Sequence, residues 1–153
     1  HYDYGDFNSR VKFCRALEEM MVRVIDQFPT NFQNYKTLRD WYNQGGRWNE
    51  VLKLWERAYK KQPNMYDPIG KEYATSLMKA RRYEETKAVL KPFTQTLRTN
   101  YEVFYKYGVA SLKSAKSAAD RAEAASSLER ALKYCPSRGP VGEIQQALRE
   151  ARR

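Results

Sequence analysis

The chain predicts an all-α fold: a right-handed superhelix of antiparallel helix hairpins, with a capping helix at each end. Three observations carry this. A pattern of large and small apolar residues returns at an interval of 34 residues. Glycines and prolines punctuate the chain where each copy ends. Within each copy the apolar residues keep the three-four spacing of a helix face.

The period is clearest in the second helix of each predicted hairpin. Leu17-x3-Met21-x2-Val24-x4-Pro29 returns as Val51-x3-Trp55-x2-Ala58-x4-Pro63, every member shifted by 34 residues. It returns one residue late, without its proline, as Thr86-x3-Leu90-x2-Phe93. The last copy is Ala124-x3-Leu128-x2-Ala131-x4-Pro136, 38 residues further on. First-helix patterns keep step: Tyr35-x2-Leu38-x3-Tyr42, Gly70-x2-Tyr73-Ala74-x2-Leu77 and Phe104-x2-Tyr107-Gly108.

Helix one is expected over 9–28. It copies the second-helix spacing with only "HYDYGDFN" before it. It therefore reads as a vestigial repeat or a cap within segment 1–29, with Tyr2, Tyr4 and Phe7 folded over its open apolar edge. Otherwise that edge pairs with more chain or with another copy. His1 reads as a remnant of expression, and the chain as a piece of something longer. Three hairpins (30–63, 64–100 and 101–136) follow. In the first, Asn31 caps helix 31–44, Gly45-Gly46 makes the turn, and helix 48–62 stops at Pro63. In the second, Asp67-Pro68 supplies a cap and a first-turn proline for helix 68–80, followed by 83–97. The third pairs 101–115 with 118–134, where Ser117-x-x-Asp120 forms a capping box and the Ala/Ser-rich run 114–127 carries the extra residues. Segment 137–153 supplies a final helix, 141–152, as a solvating cap.

These spacings resemble the tetratricopeptide repeat family, whose period is about 34 residues with large, small and proline positions placed in this way. Residues 30–63 match best. Arg39 stands where the family prefers a small residue and Thr86 where it prefers alanine, which predicts looser local packing.

Composition sets bounds on function. Net charge is +10 over 153 residues, and mean hydropathy is −0.85. No run is long and apolar enough for a membrane helix, and no basic-then-apolar signal segment opens the chain. The positive excess is spread along the chain: −1 over 1–29, +4 over 30–63, +3 over 64–100 and +4 over 101–153. It reads as a mildly cationic solvated surface. Cys14 and Cys135 lack metal or redox spacing and read as buried reduced thiols of a cytoplasmic protein; nothing supports a disulfide between them. The one histidine is residue 1, no glycine-rich phosphate loop exists, and adjacent pairs such as Glu18-Glu19 diverge by about 100° on a helix. No enzymatic activity, metal or cofactor is expected.

What remains is a concave surface lined by first helices. Positions outside the packing pattern are Gln33, Lys36, Asp40 and Asn43; then Lys71, Thr75, Met78 and Lys79; then Glu102, Tyr105, Val109, Leu112 and Lys113. The last set presents exposed apolar groups rimmed by charge, unless they pack on the cap helix instead. The resemblance implies a protein–protein scaffold that holds a peptide or helix, here one with acidic residues beside apolar anchors. Well-understood members clamp a chaperone's terminal carboxylate. That clamp would need Lys36 and Lys106, which are present. It would also need asparagine at 40 and 72 and a cation at 102, where Asp40, Glu72 and Glu102 repel a carboxylate. A second reading is a basic module of an RNA-processing assembly. The run 41–63 is also similar to half-a-TPR repeats, and tyrosines could stack on bases.

Trp55 is expected in the core. Trp55→Ala should lower stability by about 3–5 kcal/mol in urea titration, as large aromatic deletions do. A loss below about 1 kcal/mol would mean that the period was misread.

Overall fold

A computed structural model describes residues 7–153. Tyr2, Tyr4 and His1 lie outside them. Among the described residues there are helices and turns and no strand. In order these are α1 (Phe7–Gln27), α2 (Phe32–Gln44), α3 (Trp48–Lys61), α4 (Lys71–Lys79), α5 (Tyr83–Thr96), α6 (Tyr101–Lys113), α7 (Ala118–Tyr134) and α8 (Val141–Ala151). None is long and apolar enough to cross a membrane. The helices fall into two compact units, 1–54 and 55–153, with the division inside α3.

In the first unit, α1 packs on α2. Asn31 caps α2, its side chain accepting from the Gln33 amide at 3.2 Å. The hairpin turn closes with two backbone bonds, Gly46 N–H to the Asn43 carbonyl and Arg47 N–H to that of Tyr42. This is the paired closure of a Schellman ending, and Gly46 takes the left-handed backbone, φ +67°, that it requires. Of the 21 residues of α1 only Ile25 is buried. Phe7, read as part of a cap, instead opens the helix and is 70% exposed.

In the second unit, α5 packs against α4 and α6, and α7 against α6 and α8. Trp55 is 0% exposed, as the period requires. The core of its C-terminal part joins Phe104 of α6 to Ala124, Leu128 and Ala131 of α7 and Ile144, Leu148 and Ala151 of α8. Gly108 lets α6 and α7 meet: a Cβ there would stand 2.7 Å from Leu128 Cγ. Hairpin two reverses the sizes used by hairpin three. Where the third carries Phe104 with Ala131, the second carries Gly70 with Phe93, and a Cβ on Gly70 would stand 2.7 Å from the Phe93 ring. Thr86, expected to loosen the packing, is fully buried with its hydroxyl donating to the Arg82 carbonyl at 2.9 Å. The side chain is thus accommodated without an orphan donor.

Two further sequence readings need correction. Asp67-Pro68 does not open α4. The chain first makes a wider turn over Tyr66–Gly70, with Asp67 in extended conformation and no side-chain cap, and α4 runs on from it. The second correction concerns the thiols: Cys14 is exposed and Cys135 half-buried, both free. At the third hairpin, Ser117 accepts from the Asp120 amide at 3.2 Å while Asp120 accepts from the Lys116 amide at 2.9 Å. The capping box therefore forms, with its return bond one residue early. The extra residues lengthen α7 to 17, against 14 in α3 and α5.

The turn after α4 repeats the turn after α2. Arg81 N–H meets the Met78 carbonyl and Arg82 N–H that of Leu77, so Arg81 occupies the position of Gly46 at φ 58°. A side chain there costs about 1 kcal/mol relative to glycine. Arg81 is exposed, so Arg81→Gly should raise stability by about 0.5–1 kcal/mol, read from the urea midpoint at unchanged slope.

Candidate functional site

The faces predicted to line a groove belong to two units. In the first, Lys36 and Asp40 are exposed on α2 and Asn43 is half-buried. Asp40 pairs with Arg39 at 3.1 Å. The Asn43 side-chain oxygen is buried with no hydrogen-bond partner among the described residues.

In the second unit the structure brings the α4 and α6 residues together. Spacings of three and four place Lys71, Thr75, Met78 and Lys79 on one side of α4, and Glu102, Tyr105, Val109, Leu112 and Lys113 along α6. Two polar ties join the helices. Lys71 Nζ lies 3.5 Å from Glu102 Oε2. Lys106 donates to the Thr75 hydroxyl at 3.0 Å, and that hydroxyl donates to the Lys71 carbonyl at 2.9 Å. Lys106 is thereby drawn into the protein, and loss of water holds its pKa below the ordinary lysine value, only partly offset by Glu102. Glu102, which disqualifies a carboxylate clamp, has a structural use here: it neutralises Lys71.

The apolar members are half-buried. Tyr105, Val109 and Leu112 rest on the cluster that α6 forms with α7 and α8, so part of each serves the core. Burial pushes the Tyr105 hydroxyl pKa up, with Glu143 adding to it. Met78 is half-buried, while Lys79 and Lys113 are exposed. The face is therefore a polar strip over α4–α6 that grades into an apolar edge towards the C-terminal end of α6.

Sequence reading missed a second concavity. Between α1 and α2 lies a cleft of about 740 Å³, lined by Phe7, Arg10, Val11, Cys14, Arg15, Glu18, Trp41, Gln44, Gly45 and Arg47. Glu18 stands at its wall and accepts a forked pair of bonds from Arg47, at 2.5 and 3.0 Å, and one from Trp41 Nε1 at 3.4 Å. No sequence signal pointed to it, because the spacing of α1 is that of a packed second helix.

Among the described residues no three His, Cys, Asp or Glu side chains gather to hold a metal. No protein-family model matches the chain, and no curated protein matches it. Solved structures of MamA, a TPR-like helical-repeat protein, share its fold. The crystal structure of MamA aligns over 99% of this chain and 94% of its own, at 13% identity and a TM-score of 0.59. MamA residues 41 to the end, from Desulfovibrio magneticus RS-1, align over 92% and 88% at 12% identity and a TM-score of 0.58. The MamA RS-1 ArsTM double mutant aligns over 94% of this chain and 85% of its own, at 10% identity and a TM-score of 0.61. The fold is thus the TPR-like helical solenoid, at an identity that carries the fold alone.

The Arg47 fork holds the Glu18 carboxyl below its ordinary pKa, against a smaller opposing effect of burial. A depressed carboxyl stabilises the fold above its unfolded value, and that contribution disappears as pH falls through the folded value. Glu18→Gln should therefore lower the melting temperature at pH 7 and reduce its further loss on acidification below about pH 4.5. Parallel acid limbs in melting curves of the two proteins would contradict the assignment.

Proposed function

We propose that the chain is a non-enzymatic protein-interaction scaffold whose α4–α6 face receives a peptide or helix from a partner protein. The observation that supports this most is the cross-tied polar strip running into a half-buried apolar edge. Lys71–Glu102 and Lys106–Thr75 hold the two helices in register, and Met78, Tyr105 and Val109 offer apolar area beside them. A face so preorganised loses little side-chain entropy on binding. The exposed cations Lys79 and Lys113 favour a segment with acidic residues flanking one or two apolar anchors. Lys36, Asp40 and Asn43 on α2 belong to the first unit and form a polar face of their own.

No observation favours the RNA reading. Tyr35, Tyr42, Tyr73 and Tyr107 are buried and so are not presented for base stacking.

The probe is a library of acidic peptides carrying spaced Leu, Phe or Trp residues, with binding followed by fluorescence anisotropy. Tyr105→Ala should weaken the selected peptide by more than about 1 kcal/mol, as loss of a central anchor does. Lys113→Ala, at an exposed position of α6, should cost less, and its effect should fade at high salt. Because Tyr105 also supports the core, circular dichroism melts must show the variant folded at the assay temperature. Unchanged binding in Tyr105→Ala, with loss on changing Lys60 of α3 instead, would place the partner on the other face.

A further inference from the structure

We propose that the cleft between α1 and α2 is a second binding site, which takes a short acidic segment of a partner protein with one aromatic side chain at its centre. It lies in the first unit and shares no residue with the α4–α6 face. On α1 the cleft is lined by a row, Phe7, Val11, Cys14 and Glu18, whose members fall within about 60° of one another at about 100° per residue. Arg10 and Arg15 flank that row on opposite sides, about 140° apart. Trp41 and Arg47 stand in the facing wall. Val11 and Trp41 are half-buried, and Phe7 at the opening is 70% exposed.

Charge selects an acidic ligand. Glu18 is the one acid in the lining, and Arg47 takes up both its oxygens, with Trp41 Nε1 as a third donor. It is therefore not available to Arg15, one helical turn back. Glu19, the other acid one turn from Arg15, faces Arg23 at 3.9 Å. Neither Arg10 nor Arg15 forms an ion pair among the described residues. The open part of the cleft thus holds two uncompensated guanidinium groups on either side of an apolar wall. Each presents a planar fork that matches a carboxylate, and an aromatic ring fits the apolar strip of Phe7, Val11 and Trp41 between them. The bonds to Glu18 hold Trp41 and Arg47 in place before any ligand arrives, so little ordering is needed on binding.

Size and openness select a short stretch of polypeptide. One helical turn, about 10 Å across and about 5.4 Å long, fills roughly 420 Å³. A cleft of about 740 Å³ therefore takes less than two turns of helix, or a few extended residues. Small molecules are held by burying about 70–90% of their surface. Here Phe7, Arg10, Cys14 and Arg15 are all exposed, which suits a ligand that turns one side chain inward and continues into water at both ends. Nucleic acid is bound along a run of phosphates, and two arginines separated by an apolar wall offer no such track.

Cys14 reports on the cleft directly, because its thiol is exposed and lines it. The probe is a fluorescein-labelled peptide with one tryptophan between two pairs of aspartates, added to the full chain carrying Cys135→Ser. At a peptide concentration about five times the Kd read by anisotropy, maleimide alkylation of Cys14 should slow about sixfold. Arg10→Ala with Arg15→Ala should raise the half-protecting concentration about tenfold, as loss of two exposed charge pairs does, with unchanged helix content by circular dichroism. Lys113→Ala should leave the protection of Cys14 as it is, which separates this site from the α4–α6 face. Absence of protection at millimolar peptide would overturn the proposal, as would equal protection by a peptide with asparagines in place of the aspartates. Three other occupants would overturn it too: single-stranded RNA, if it protects Cys14 where the peptide does not; a second copy, if alkylation slows with protein concentration alone; and the chain's own opening segment, if Tyr2→Ala with Tyr4→Ala speeds alkylation without peptide.

Discussion

The fold of the second unit depends on how closely α6 and α7 approach. Gly108 supplies the approach: its missing side chain is the space that Leu128 fills. Leu128 sits at the centre of the cluster that continues through Ala124 and Ala131 to Ile144 and Leu148 of α8. The seating of α8 is therefore set by the separation of the two helices before it. The candidate face inherits the same constraint, because Tyr105, Val109 and Leu112 rest on that cluster from the other side of α6.

The first unit is held differently. Its α1 contributes one fully buried side chain, and the fork between Glu18 and Arg47, with Trp41 as a third donor, supplies orientation where apolar burial is thin. Ion pairs of this exposure add little stability individually, but a bidentate one fixes geometry. Apolar area left on α1 and polar orientation of α1 against α2 are thus two sides of the same economy.

Most of the fold was legible because the period is carried by shape. Trp55, Leu90 and Leu128 recur at the same place in their helices, and all three are fully buried. Asn31, Asn100 and Ser117 cap α2, α6 and α7, and two of them were readable because their chemistry is local. The turn at Tyr66–Gly70 was not legible, since Asp-Pro satisfies the local rule for a helix start whether or not the helix starts there. Arg81 escaped notice because glycine is the usual sign of a left-handed residue, and backbone closure can impose it on any other. In the candidate site, sequence gave the faces but not the ties. Lys71 with Glu102, and Lys106 with Thr75, are about 31 residues apart and meet only when α4 and α6 are neighbours. The exposure of Cys14 depends equally on what lies opposite it, which no spacing reports.

The exchanged sizes at Gly70 and Phe93 bear on how such an array can be recombined. Hairpins that all carried the large residue on the first helix would be interchangeable parts, and any first helix could be spliced to any second. Here the ring has crossed to the other helix, so α4 and α5 match each other and not their counterparts. A chimera joining α4 to α7 would set Gly70 against Ala131 and leave a gap the size of an aromatic ring. One joining α6 to α5 would drive Phe104 and Phe93 into the same space. The heritable unit in this stretch of the chain is consequently the whole hairpin, and shuffling within it is penalised in either direction.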